Sequence, residues 1–253
     1  MLKGLKYRLY PTNSQKELIA KHIGSSRFVY NLALETKNTA YLGFKHNFSP
    51  FDLIKQLPEL KKECEWLKEV NSQSLQQSIQ NMDIAFKKFF KGAGFPKFKS
   101  KHRGKQSFSI PQNVIVENNL LIIPKFKEGI NIVLHREIKG TIKSATISVT
   151  PTGKYFVSIL VDTNTEIPTK APITENATIG IDLGIKDFAI TSEGEVFENP
   201  KNLRKAQSKL KYVQRKYSKN KGKRTKHRLA LLHEKVVNKR KDFLHKTSTK
   251  LIR

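Results

Sequence analysis

Ile179-Gly180-Ile181-Asp182-Leu183-Gly184 reads as a strand that delivers one carboxylate between two glycines, with Lys186-Asp187-Phe188-Ala189 beginning the next strand. A carboxylate in such a place is a hard oxygen ligand of the kind magnesium prefers. One carboxylate holds the ion weakly, however, and two-metal phosphodiester hydrolysis needs several to clamp cations about 3.5–4 Å apart. Asp187 is the nearest second acid and reads more simply as a hydrogen-bond acceptor beside the turn.

The chain around this carboxylate is a polycation. Lys and Arg number 48 against 21 Asp and Glu in 253 residues, a formal charge of +27. Such a surface repels itself and attracts phosphate backbones from a distance. Nucleic acid is the expected partner. A glycine-flanked aspartate also occurs in nucleotide phosphotransferases, a reading that the basicity disfavours. No run of about 18 apolar residues and no signal-peptide core appears, so no membrane partner and a cytoplasmic location are expected. The single cysteine, Cys64, can form neither an intrachain disulfide nor a four-thiolate zinc site and reads as an ordinary reduced thiol. His22, His233 and His245 have no metal-ligand neighbours at matching spacing, and Trp66 reads as a core ring.

The elements that must position these groups follow from the pattern. Residues 2–10 alternate as a basic strand, with Lys6 and Arg8 opposite Leu5, Tyr7 and Leu9, closed by Pro11. Thr12 with Gln15 forms a capping-box signature and Gly24 suits a helix stop, so the spacing predicts a helix over about 13–23 and a second from Arg27 to about Leu42. Shorter helical pieces at 53–57 and 60–70 flank Pro58, and residues 72–90 read as a longer helix. Strands are expected at 120–123, 130–134, 145–150 and 155–161, the last pair joined at Pro151-Thr152-Gly153. The lone strand 2–10 needs those partners, which implies one β unit split by a helical insertion. After a Pro/Thr-rich linker at about 162–176, a hairpin at 179–191 with an exposed edge, a turn at Ser192-Glu193-Gly194 and a strand at Val196-Phe197 open a second domain. Two basic helices follow and meet at 219–223.

The cations placed for phosphate contact in the first half are Lys6, Arg8, Arg27, Lys97, Lys99, Lys101 and Arg103. In the tail they are Lys205, Lys209, Arg215, Lys223, Arg224 and Arg240, where Glu234 and Asp242 are the sole acids from Lys201 onward. Phe95 and Phe98 interleave with the lysines of 95–101. Core anchoring is their more frequent fate and base stacking the alternative.

In series, Tyr10-Pro11-Thr12, Arg27-Phe28-Val29-Tyr30-Asn31, Phe95-Pro96-Lys97-Phe98-Lys99-Ser100-Lys101, Gly180-Ile181-Asp182-Leu183-Gly184 and Arg240-Lys241-Asp242-Phe243-Leu244-His245-Lys246 resemble the TnpB (OrfB) family of insertion sequences, RNA-guided DNA endonucleases and transposition proteins. The resemblance implies an α+β chain: a split, wedge-like β-barrel (1–10 plus 104–165) with an inserted helical recognition lobe (11–103), then the start of a RuvC-like, ribonuclease H-type α/β domain (177–253). It implies Asp182 as a catalytic, Mg2+-binding carboxylate, with guide RNA and double-stranded DNA as partners. Family members continue into a catalytic glutamate, a zinc module of paired cysteines and a last catalytic aspartate. This sequence stops before all three, so no zinc site is expected within it and a loss of cleavage is. A guide-RNA- or DNA-binding regulator without catalysis and a decayed remnant are the alternatives.

Overall fold

The computed structural model describes residues 1–102, 104–167, 169, 174 and 178–252. The chain divides into two compact units, Met1–Ile167 and Pro168–Arg253. Arg103 and part of the expected linker lie outside the described residues.

In the first unit, β1 (Leu2–Tyr10) leads into α1 (Asn13–Phe44). The capping box forms: Gln15 N donates to Thr12 Oγ1 at 3.3 Å, and Thr12 N donates to Gln15 Oε1 at 3.0 Å. The expected break at Gly24 is absent, and α1 is one helix of 32 residues. The reason is that a single rod serves two cores: Ile19 and Ile23 pack with the sheet, while Val29, Tyr30, Ala33 and Leu34 pack with the other helices. Steps of four residues carry the apolar stripe straight through Gly24, and packing on both sides outweighs the roughly 1 kcal/mol that an interior glycine costs. The helix closes at Lys45 in left-handed conformation (φ 54°), whose N–H and that of His46 satisfy Tyr41 and Ala40 carbonyls.

Three further helices, α2 (Pro50–Lys55), α3 (Leu57–Glu63) and α4 (Ser72–Phe89), with a 3-10 turn at Glu65–Glu69, complete the helical cluster. Pro58 sits in the first turn of α3, where its missing N–H costs nothing. Trp66, expected in the core, is exposed and meets the Phe28 ring edge-on at 5.1 Å, because the short turn directs Leu67 inward instead. Cys64 is a half-buried free thiol against the helical core.

The sheet adds β2 (Gln106–Ile110), β3 (Ile115–Glu117), β4 (Leu120–Ile123), β5 (Phe126–Val133), β6 (Thr141–Val149) and β7 (Tyr155–Asp162) in the order β2-β6-β7-β1-β5-β4-β3, all neighbours antiparallel. The first strand of the chain therefore lies mid-sheet, and the helices are inserted between it and β2. Alternation sends Tyr7, Leu9, Ala145, Ile147, Val157, Ile159 and Val161 to one buried face. Among the described residues no ladder joins the edge strands β2 and β3, so the architecture observed is a large antiparallel sheet rather than a closed hydrogen-bonded barrel.

The second unit holds β8 (Ile181–Asp182), β9 (Asp187–Thr191) and β10 (Val196–Glu198) in the order β10-β9-β8, followed by α5 (Asn202–Lys219) and α6 (Lys223–Ile252). The hairpin strand expected over 179–184 is shorter than that, a two-residue edge strand. The helices pack on each other around Leu210, Val213 and Val236, and Phe243 meets Phe188 edge-on at 4.9 Å. Among the described residues no helix is long and apolar enough to cross a membrane.

Candidate nucleic-acid interface

On β1 the outward positions are Lys6, Arg8 and Tyr10, the complement of buried Tyr7 and Leu9. Register sets Arg8 opposite Phe156 of β7. The Lys6 ammonium lies 4.4 Å from the Phe156 centroid, and the Arg8 guanidinium carbon lies 4.9 Å from Phe156 and 5.3 Å from Tyr10. Ring quadrupoles thus hold two cations on one sheet face. Arg8 Nη1 is buried without a hydrogen-bond acceptor, which leaves that guanidinium with unused donor capacity. A hydroxyl pair, Ser109 with Thr146 at 2.9 Å, lies further along the sheet.

A second cluster joins sequence segments far apart. Asn31 of α1 donates from Nδ2 to the Lys99 carbonyl at 3.0 Å and accepts the Lys99 N–H at Oδ1, 2.8 Å, so one amide side chain clamps the backbone of the Phe95–Lys101 segment. Lys99 Nζ then lies 3.8 Å from the Tyr30 ring centroid. The residue as a whole is exposed, but loss of water at its ammonium lowers the pKa below the usual lysine value. Arg27 donates to Gln106 Oε1 at 3.1 Å, and Gln106 donates to the Ser100 carbonyl at 3.1 Å. Lys97 and Lys101 remain exposed. Phe98, expected as a core anchor, is exposed, and Phe95 only half leaves solvent; buried Pro96 between them does the anchoring.

In the second unit Asp182 is exposed on edge strand β8, its Cα opposite Ile190. Gly180 pins the strand from below, donating to Ser192 Oγ at 3.1 Å and accepting Ser192 N at 2.9 Å. Gly184 is required by the return: a Cβ there would sit 2.9 Å from the Asp187 carbonyl oxygen. Asp187 is half-buried and pairs across to Glu198 of β10. Among the described residues no group of three His, Cys, Asp or Glu side chains is assembled to hold a metal, so the described donors alone do not fit a two-metal centre.

Lys205, Lys209, Arg215, Lys223, Arg224 and Arg240 are all exposed on α5 and α6. Neither helix has an acid in its first turn. A cleft of about 550 Å³ brings Arg240 of α6 together with Lys201 and Arg204 at the start of α5, over Phe188 and Phe243. Arg204 was not among the cations singled out from sequence, Phe156 was not singled out at all, and Asn31 was noted only as part of the Arg27–Asn31 motif, without a role. The period-two alternation pointed to Lys6 and Arg8, but Phe156 and the Asn31 clamp are brought in by pairings across 148 and 68 residues, respectively.

Two family profiles match the chain: one described as "Probable transposase" (OrfB, IS605 type) over residues 158–253, and one described as "Helix-turn-helix domain" (OrfB, IS605 type) over residues 1–43. The chain belongs to the OrfB family. OrfB relatives include a Streptomyces pristinaespiralis protein named as an RNA-guided DNA endonuclease, 34% identical over 99% of this chain. The Escherichia coli K12 protein InsQ, named likewise, is 33% identical over 98% of it. The chain spans 64% and 63% of the length of these two. "Virulence protein VsdF" of Salmonella dublin is 37% identical over 40% of the chain and is itself covered to 96%. A solved Cas12f1 complex with single-guide RNA and target DNA aligns over 99% of this chain and 69% of its own, at 14% identity and a TM-score of 0.36, too low to bear on fold or ligand. In this OrfB chain the segment matched as helix-turn-helix is a strand and one unbroken helix through residue 43, with no turn between two helices.

Proposed function

We propose that this OrfB chain binds guide RNA and double-stranded DNA through its cationic surfaces, and that Asp182 is one Mg2+-binding carboxylate of an RNA-guided, RuvC-like nuclease activity. In this reading the sheet serves as the wedge, α1–α4 as the recognition lobe, and the second unit as ribonuclease H-type nuclease sequence. The single observation that carries it is the pair of helices α5 and α6, whose many exposed cations share only two acids within the helices themselves, Glu234 and Asp242, with Glu195 outside them engaging Lys250. Intrahelical ion pairs cannot balance them: Asp242 is already engaged by Lys246 at 2.9 Å. Phosphates can.

Binding and cutting separate on chemical grounds. Each lysine or arginine on a phosphate releases counterions by itself, whereas a lone carboxylate cannot position both the attacking and the leaving oxygen. Binding is accordingly assigned to these residues, and cutting to Asp182 only in company with further carboxylates. The test is to purify the chain at moderate salt, sequence the nucleic acid that travels with it, and compare a nuclease-treated control. A discrete structured RNA is expected. Heterogeneous fragments shed by salt would reduce the chain to a generic polycation. Efficient Mg2+-dependent, guide-directed cutting by the purified chain, abolished in Asp182→Ala, would show that the described residues do more than bind.

A further inference from the structure

The C-terminal end of α4 carries a ladder of aromatic rings that runs from the core into water. Phe86 is buried in the helical cluster. Phe95 meets it edge-on at 5.6 Å, Phe89 meets Phe95 at 5.3 Å, and Phe90 meets Phe89 at 5.3 Å. Exposure rises outward, with Phe89 at 36%, Phe95 at 49% and Phe90 at 78%. Phe98, on the same segment, is 57% exposed.

These rings are held rather than dangling. Beyond α4 the backbone closes with Gly92 N on Phe89 O and Ala93 N on Lys88 O, both at 3.0 Å, with Gly92 at φ 92°. The far side of the loop is pinned by buried Pro96 and by the two Asn31–Lys99 hydrogen bonds. Leaving large apolar rings in water on a fixed support is costly for a fold that needs only stability. The surroundings say what covers them. Lys88, Lys91, Lys97, Lys99 and Lys101 interleave with the rings; Lys87 is engaged by Asp83 at 2.9 Å, and no further acid occurs from Ile84 through Val116. A protein partner's apolar patch would gain little from that charge; a phosphate strand would.

The structure assigns this ladder as a stacking platform for unpaired RNA bases, with Phe90 and Phe98 as the contact rings and the flanking lysines on the strand's phosphates. The assignment rests on the guide-RNA reading above and adds which part of the RNA is held. A duplex keeps its base faces covered by neighbouring pairs, so an exposed ring has only phosphates to meet there; an unpaired strand offers its base faces directly.

Affinities for a short unpaired RNA oligonucleotide, its duplex and the single-stranded DNA of the same sequence decide the matter, measured across a salt series. Phe90→Ala and Phe98→Ala are each expected to weaken unpaired-RNA binding about tenfold, with Phe90→Trp retaining it, while duplex binding shifts by less than about twofold. The slope of log affinity against log salt stays unchanged, since no cation is removed. Unchanged thermal melting shows that these surface changes leave the fold intact. Equal losses on unpaired and duplex RNA, or no loss on either, would overturn the assignment, as would a loss confined to DNA. If the variants abolish a self-associated form and leave RNA affinity intact, a second copy is the occupant and the platform falls. Wild-type protein that binds no nucleic acid at all would sink the broader reading as well, a result distinct from binding that survives removal of the rings.

Discussion

His22 is the point where α1, α4 and the sheet are tied together, and its removal has a pH signature. The ring is buried, with Nδ1 at 2.9 Å from the Leu18 carbonyl and Nε2 accepting the Asn71 N–H at 3.0 Å. That pair of bonds fixes a neutral ring with its proton on Nδ1. Asn71 is the N-cap of α4, so the bond sets where that helix begins. Phe108 and Phe126 of the sheet hold the ring's faces at 4.7 and 5.4 Å. Burial, aided by nearby Lys125 and opposed by the Leu18 carbonyl, lowers the His22 pKa below 6.5.

His22→Phe keeps a ring between the two phenylalanines but orphans the buried Asn71 N–H, at a cost of about 1–3 kcal/mol at neutral pH and above. Well above pH 6.5 both folded and unfolded chains hold His22 neutral, and the wild type has its full stability. As pH falls below 6.5 the unfolded chain takes up a proton that the folded one refuses. Wild-type stability then drops by at most about 1.4 kcal/mol per pH unit until the folded pKa is reached. The variant lacks this component, so the gap between the two narrows with acid. Asp52 and Asp162, whose pKa values are lowered from 3.8 by hydrogen bonds, lose their contributions only at lower pH and do not overlap. Urea titrations followed by the fluorescence of Trp66, the only tryptophan, read the helical part of this unit. A wild-type-to-variant gap that is constant from pH 7 to about pH 5 would refute the linkage. So would a His22 ring that titrates at or above 6.5 by NMR.

Two further outcomes follow from single contacts. Asn31→Ala removes both hydrogen bonds to the Lys99 backbone, a net loss of about 1 kcal/mol because water re-solvates those exposed groups, and it frees the 92–102 loop. Limited proteolysis should then cut within that loop first, and unaltered cleavage kinetics would contradict the clamp. Gly184→Ala sets a Cβ 2.9 Å from the Asp187 carbonyl oxygen, so the β8–β9 return must open, at about 1–3 kcal/mol. Faster amide hydrogen exchange in peptides spanning 180–191 is expected, and unchanged protection would show that the return absorbs the methyl.

Local signals made much of this fold legible. The alternation of residues 2–10, the capping box at Thr12, the helix from Ser72 and the Gly153 turn (φ 78°) each depend on neighbours within a few residues, and each is found where the pattern set it. Gly24 was misleading because a helix stop is only one use of glycine. The apolar steps from Ile19 through Leu34 serve two different cores, which no local window separates. Trp66 and Phe98 were expected inside from residue type alone, and the structure leaves both in water. The cationic positions were legible as charges but not as places. That Lys99 is fixed by Asn31, that Arg8 and Lys6 share Phe156, and that Arg204 joins Arg240 are consequences of long-range pairing.

The second unit shows how charge placement itself carries functional information. An acid in a helix's first turn stabilises it by facing the positive end of the macrodipole, and a cation there does the reverse. Here α5 follows Lys201 as N-cap, with no side-chain cap hydrogen bond, and has Arg204 and Lys205 in its opening turns, while α6 begins with Lys223, Arg224 and Lys226. Each misplaced cation costs about 0.3–1 kcal/mol at low salt. The two acids of these helices, Glu234 and Asp242, lie in the middle and second half of α6, away from both helix starts. The cost vanishes when a phosphate occupies the helix start, because the same N–H groups and cations then face an anion. On the proposed reading, a polyanion that binds the folded α5 and α6 would also stabilise them, because a ligand that prefers the folded form shifts the equilibrium toward it.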